Sequence, residues 1–243
     1  MTEVTSNIFE NVSFQIDTDW KLGFTGRNGR GKTTFFNLLL GKYEYSGNIS
    51  ANMSFEYFPF NVLNKENNTL DVISDIFPDC THWKLMRELS LLEVSEDTLY
   101  RPFDSLSNGE QTKVLLATLF LKENSFLLID EPTNHLDMNA RKLVSDYLKT
   151  KSGFILVSHD RSFLDNCVDH ILSINKTNVE VRKGNFSIWW ENKKRLDSFE
   201  LAENDKFKKD INRLSSSAKR ASSWSHEVEK TKNGTTNSGS QAG

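Results

Sequence analysis

The segment Gly26-Arg27-Asn28-Gly29-Arg30-Gly31-Lys32-Thr33-Thr34 spaces three glycines ahead of a lysine and two hydroxyl residues. Glycines let successive backbone N–H groups turn inward around an anion. A helix starting at Lys32 would add the positive potential of its N-terminus. Lys32 then reaches β- and γ-phosphate oxygens, and the Thr33 hydroxyl is placed to ligate Mg²⁺. A second set lies downstream, where the apolar run Phe126-Leu127-Leu128-Ile129 ends in Asp130 and Glu131. Asp130 suits the Mg²⁺ shell and Glu131 suits the polarisation of an attacking water. A solvated acidic turn would use the same two residues without chemistry; the phosphate-type loop upstream favours the catalytic reading.

Elements must bring these groups together. Residues 1 to about 190 alternate strand-like runs with helical patterns, the mark of an α/β domain. Val12 to Ile16 alternates apolar and polar, Leu22 to Phe24 is a short strand entering the glycine-rich loop, and Lys32 to Leu40 is the helix after it. Phe55 to Phe58, Phe126 to Ile129 and Phe154 to Val157 read as strands, the last two buried on both faces as in a parallel sheet. Strands stop between about 61 and 104, where Leu70 to Ile76 and Trp83 to Leu92 predict a small helical insertion. Ile171 to Ile174 and Val179 to Val181 are short closing strands. After Trp190, Phe207, Ile211, Leu214, Ala218, Ala221 and Val228 recur at helical spacing, which predicts one amphipathic helix over 191–232. Asn233-Gly234 ends it, and 233–243 reads as a flexible polar tail.

Composition narrows the partners little. A formal net charge of −3 favours neither nucleic acid nor an acidic ligand. Cys80 and Cys167 match no metal spacing and read as reduced thiols. No apolar run reaches the roughly 18 residues of a membrane span, and the N-terminus lacks a signal-peptide pattern. The expected location is the cytoplasm, with any membrane partner on another chain.

Two more segments complete an ordered set. Leu106-Ser107-Asn108-Gly109-Glu110-Gln111 precedes the helical run Lys113 to Leu121, and Val157-Ser158-His159-Asp160-Arg161 follows a strand. Taken alone, Ser107 is a helix N-cap and His159 a polar surface residue. Asn134-His135-Leu136-Asp137 lies just after the paired carboxylates, and Asp137 alone caps the helix Arg141 to Leu148.

In this order the segments resemble Walker A, the ABC signature, Walker B, the D-loop and the switch histidine of the ABC ATPases, over about 6–185. The wording LSNGEQTK, DEPTNHLD and VSHDRSFLD is most similar to ABC-F proteins of the Lsa antibiotic-resistance type. The resemblance implies a P-loop ABC nucleotide-binding domain over 1–190 and the first linker helix over 191–232. It implies ATP and Mg²⁺ as ligands, with Gly26 to Thr34 on the phosphates, Thr33 and Asp130 on the metal, and Glu131 and His159 in catalysis. Ser107 and Gly109 would serve ATP held by a second ABC domain, with Asp137 at the contact between the two. The family is soluble, ribosome-acting and without a membrane domain; its resistance members release lincosamides, pleuromutilins and group A streptogramins. Ribosome or tRNA contact would run through the linker helix, with Trp224, His226, Lys230 and Lys232 as candidate RNA contacts.

Departures keep alternatives open. The family's Tyr-Leu-Pro-Gln reads Tyr57-Phe58-Pro59-Phe60 here, and Phe60 can neither ligate Mg²⁺ nor position water. Asn61, one residue on, is a weak substitute. Asn108 replaces a signature glycine, and asparagine tolerates left-handed backbone. The aromatic expected to stack on adenine should precede Ile8, and none does, and the chain stops in the linker before a second ABC domain, so it reads as a fragment or half-protein; since the resemblance implies ATP held between two domains, weak binding and little hydrolysis are expected of it alone. The other readings are an ABC transporter's ATPase subunit and an inactive truncated fragment.

Overall fold

The computed structural model describes residues 9, 11–26, 31–174 and 179–234, with side chains described in that span except at 221, 222 and 224–234. The chain divides into two units, Met1–Trp189 and Trp190–Gly243.

The first unit is built on one six-stranded sheet. Its strands are β1 (Lys21–Thr25), β2 (Ser54–Phe58), β3 (Ser125–Asp130), β4 (Phe154–Val157), β5 (His170–Ile174) and β6 (Val179–Lys183), in the order β2-β3-β4-β1-β5-β6. The first five are parallel, and β6 runs antiparallel to β5. Continuous apolar sequence explains the centre: all four residues of β4 are buried, as are four of the six in β3. Such strands are shielded on both faces, as parallel sheets require. Leu22, Phe24, Phe126, Leu128, Ile155 and Leu172 from four strands share one core cluster with Phe35 and Phe36 of α1 (Lys32–Leu39).

The helical insertion holds α2 (Thr69–Ile76) and α3 (His82–Leu91), followed by 3₁₀ turns at Glu96–Tyr100 and Phe103–Ser105. Then come α4 (Asn108–Phe120), α5 (Met138–Lys149) and α6 (Arg161–Cys167). Glu88 of α3 is buried, accepts a hydrogen bond from Tyr147 Oη of α5 at 2.7 Å, and pairs with Lys151. Both contacts reach Glu88 Oε2 and tie α3 of the insertion to α5 and to Lys151 just beyond it. Cys80 and Cys167 are both free thiols, and burial pushes Cys167 up to about 12.

Two local expectations change. Val12 to Ile16 is not a strand: 12–17 has no regular structure, and Val12, Ile16 and Trp20 lean on the core cluster as partly buried side chains. Apolar alternation here serves packing without a hydrogen-bonded ladder. The long helix α7 (Phe186–Gly234) begins before Glu191 because Asn185 Oδ1 accepts from Ile188 N at 3.1 Å and Asp165 Oδ1 from Ser187 N at 2.7 Å. Those two acceptors satisfy the first free N–H groups of the helix. In the second unit, Phe207, Ile211 and Leu214 are 60–69% exposed. The side chains of Ala221, Trp224, His226, Val228, Lys230 and Lys232 and the tail 235–243 lie outside the described residues.

Candidate active site

Three adjacent strands deliver the groups that the sequence singles out. β4 lies between β3 and β1, and all three run the same way, so the loops leaving their carboxyl ends open on one edge. That edge of an open α/β sheet is where ligands generally bind.

β1 leads into Gly26. Arg27, Asn28, Gly29 and Arg30 lie outside the described residues. Gly31 has φ 90° and ψ 12°, a left-handed backbone that an L side chain would strain, and it forms the N-cap of α1 with no side-chain hydrogen bond. The N-terminus of α1 therefore keeps its backbone donors free of a side-chain cap. Lys32 Nζ donates to the Gly26 carbonyl at 3.0 Å, turning the ammonium back toward the end of β1. Thr33 is exposed and Thr34 half-buried.

β3 ends at Asp130, whose Oδ2 accepts from the Tyr57 phenol at 3.1 Å. Burial and the Asp130 charge push that phenol up to about 12. Glu131 follows with φ 49°, left-handed for a non-glycine residue. Its N–H donates to Val157 O at 2.9 Å, which joins the ends of β3 and β4. Its carboxylate then turns toward His159: Oε2 accepts from His159 N at 3.2 Å, and His159 Nε2 stands 3.4 Å from Oε1. Oε1 is buried and, among the described residues, accepts no hydrogen bond. Burial raises the Glu131 carboxyl above its ordinary value; the His159 backbone N–H and the His159 and Lys32 charges pull it back, while Asp130 pushes it further up. The His159 side chain is 69% exposed, so the imidazole looks out from the edge.

Other candidate residues are engaged locally. Ser107 makes a complete capping box on α4: its Oγ accepts from Glu110 N at 3.2 Å, and its N–H and O–H both donate to Glu110 Oε2 at 2.8 Å. Gly109 has ordinary right-handed backbone, and a Cβ there would stand 3.7 Å from His135 O, so no contact among the described residues requires glycine. Asn108 is the first helical residue of α4, so its tolerance of left-handed backbone is not used. Asp137 caps α5 by accepting from Ala140 N at 2.7 Å. Phe60 is 37% exposed and Asn61 is exposed.

The structure thus brings Lys32, Asp130, Glu131 and His159 to one sheet edge, while Ser107 and Asp137 are occupied at their own helix starts. In the sequence, Tyr57 stands out only as part of the altered motif Tyr57-Phe58-Pro59-Phe60. Its contact with Asp130 depends on β2 pairing with β3, a neighbour about 70 residues later in the chain, and no local pattern announces that pairing.

The ABC transporter family matches residues 9–134, more than half of the chain. The chain belongs to that family. It carries a P-loop ATPase domain, and ATP is its nucleotide. The ribosome protection protein VmlR of Bacillus subtilis is 32% identical over 182 residues, 71% of this chain and 32% of VmlR. The ABC transporter F family member 3 of Arabidopsis thaliana is 29% identical over 186 residues, 74% of this chain and 26% of that protein. Among solved structures, the archaeal ribosome recycling factor aABCE1, in complex with the ribosomal stalk protein aP1, matches with a TM-score of 0.54 at 26% identity, over 67% of this chain and 34% of that one. The ABC domain described here spans about a third of the length of the curated relatives it matches. Among the described residues, no helix is long and apolar enough to cross a membrane.

Proposed function

We propose that this ABC domain belongs to a soluble, cytoplasmic ABC-F protein that acts on the ribosome, and that its role is protection of the antibiotic target. The Lsa-type wording of its motifs favours lincosamides, pleuromutilins and streptogramin A as the drugs displaced. The likeness to a ribosome protection protein supports the ribosomal part of this reading. In the same reading, 1–190 is the nucleotide-binding domain, 191–232 the linker helix that meets ribosome or tRNA, and 233–243 a flexible tail.

The observation that carries the catalytic part is the buried Oε1 of Glu131, which accepts no hydrogen bond among the described residues and lies 3.4 Å from His159 Nε2 at the carboxyl edge of the sheet. A carboxylate held there accepts a proton from water, and an imidazole there meets the terminal phosphate. Gly26 to Thr34 would wrap the phosphates. Lys32 would exchange the Gly26 carbonyl for phosphate oxygen, and the side-chain-free start of α1 would face anionic charge. Thr33 and Asp130 would hold Mg²⁺, which supplies charge neutralisation across the β- and γ-phosphates. The donor set fits, since a hydroxyl and a carboxylate are hard oxygen ligands. Ser107, Gly109 and Asp137 would complete a site on a second ABC domain, in the same polypeptide or another.

The test uses a trap. A Glu131→Gln variant should bind ATP, fail to hydrolyse it, and co-sediment with ribosomes when ATP is present. Pelleting with membranes in place of ribosomes would point to the transporter reading. No ATP-dependent pelleting with ribosomes, once a second ABC domain is supplied, would sink the proposal.

A further inference from the structure

We infer that Tyr57 is a positioning residue for Asp130, its phenol holding the carboxylate in the pose that makes nucleotide binding depend on magnesium. The inference rests on the reading that Asp130 serves the metal. Tyr57 lies opposite Leu128 in the parallel ladder of β2 and β3. Residues two apart on a strand share a face, so Leu128, Asp130 and Tyr57 look the same way. The phenol reaches over from the neighbouring strand and donates to Asp130 Oδ2 at 3.1 Å.

The ring is held independently of that bond. Phe36 of α1, 1% exposed, meets it edge-on at 6.1 Å between centroids, and Lys42 Nζ lies 5.8 Å from the ring centroid. Phe36 belongs to the helix that follows the phosphate loop. One side chain therefore joins the element that would carry the phosphates to the carboxylate that would carry the metal. A carboxylate has several lone pairs, so a single donor on Oδ2 fixes its rotation and leaves Oδ1 for coordination. Hydrogen bonds to a charged acceptor are the stronger kind. Phe60, three residues on and past the end of β2, has no polar side-chain atom to offer.

The experiment compares ATP affinity in millimolar Mg²⁺ with affinity in EDTA, by calorimetry on the full chain, for wild type, Tyr57→Phe, Asp130→Asn and the double variant. Tyr57→Phe keeps the ring and loses only the hydroxyl. It should weaken Mg²⁺-dependent affinity about tenfold, leave affinity in EDTA unchanged, and leave the thermal midpoint within a degree or two of wild type. Asp130→Asn should abolish the magnesium dependence, and adding Tyr57→Phe should then change nothing, the coupling expected of one shared interaction. Equal affinity of Tyr57→Phe and wild type in Mg²⁺, with Asp130→Asn still losing the dependence, overturns the role of Tyr57 alone. An equal loss in Mg²⁺ and EDTA makes Tyr57 structural and overturns it as well. Retained magnesium dependence in Asp130→Asn removes the Asp130 reading, and the inference with it.

Discussion

Glu131 carries two burdens at once. Its left-handed backbone, with φ 49°, costs on the order of 1–3 kcal/mol, and its half-buried carboxylate is held above the ordinary range chiefly by burial. A raised folded-state value means that the folded chain binds this proton more tightly than the unfolded one. The associated stability is complete below the ordinary carboxylate value and is lost as pH rises through the raised one. Glu131→Gln should therefore raise the thermal midpoint at pH 7 and leave it unchanged near pH 4, as differential scanning calorimetry would show. The same variant should slow ATP hydrolysis at least about a hundredfold while retaining ATP binding. In the wild-type site, a base must be ionised to act, so the acid limb of the rate profile should lie above the roughly 4.3 of a free glutamate. A limb at or below that value would remove Glu131 as the base.

Helix starts show how one residue can serve structure and chemistry together. Ser107, Asp137 and Asp160 each cap a helix through a side-chain oxygen. Ser107→Ala should cost about 1 kcal/mol of stability, read by urea unfolding. Because the Ser107 N–H and O–H donate to Glu110, they hold its carboxyl below the ordinary range. That contribution is present above the ordinary carboxylate value and lost as pH falls through the depressed one, so the deficit of Ser107→Ala should shrink near pH 3. At this scale the sequence was legible where its signal is local. The buried runs at Phe126 and Phe154, the helix after the glycine-rich loop and the insertion over α2 and α3 follow from periodicity and composition. Val12 to Ile16 misled because alternation reports burial, not pairing. The Tyr57–Asp130 contact stayed hidden because it depends on which strands become neighbours.

In the ABC domain, the start of α4 and the sheet-edge groups are separate sets of contacts. Ser107 has its polar contacts with Glu110, and the groups at the sheet edge belong to other loops. Hydrolysis per chain should therefore be low in dilute solution and should rise at least tenfold, roughly, when a second ABC domain is supplied at saturating concentration. A steady-state assay across a concentration series checks this; a rate per chain that never varies would mean that one domain suffices. The strand order also bears on how such a protein is made. β1 is the first of the described strands to be synthesised, yet both of its neighbours, β4 and β5, lie at 154–174. A nascent chain halted at residue 150 would already carry the glycine-rich loop, the signature segment and the paired carboxylates, but β1 would have no strand on either side. Its apolar faces would stay open to solvent and to chaperones until the centre of the sheet emerged, so the order of translation delays assembly of the pocket until residues 154–174 have been made.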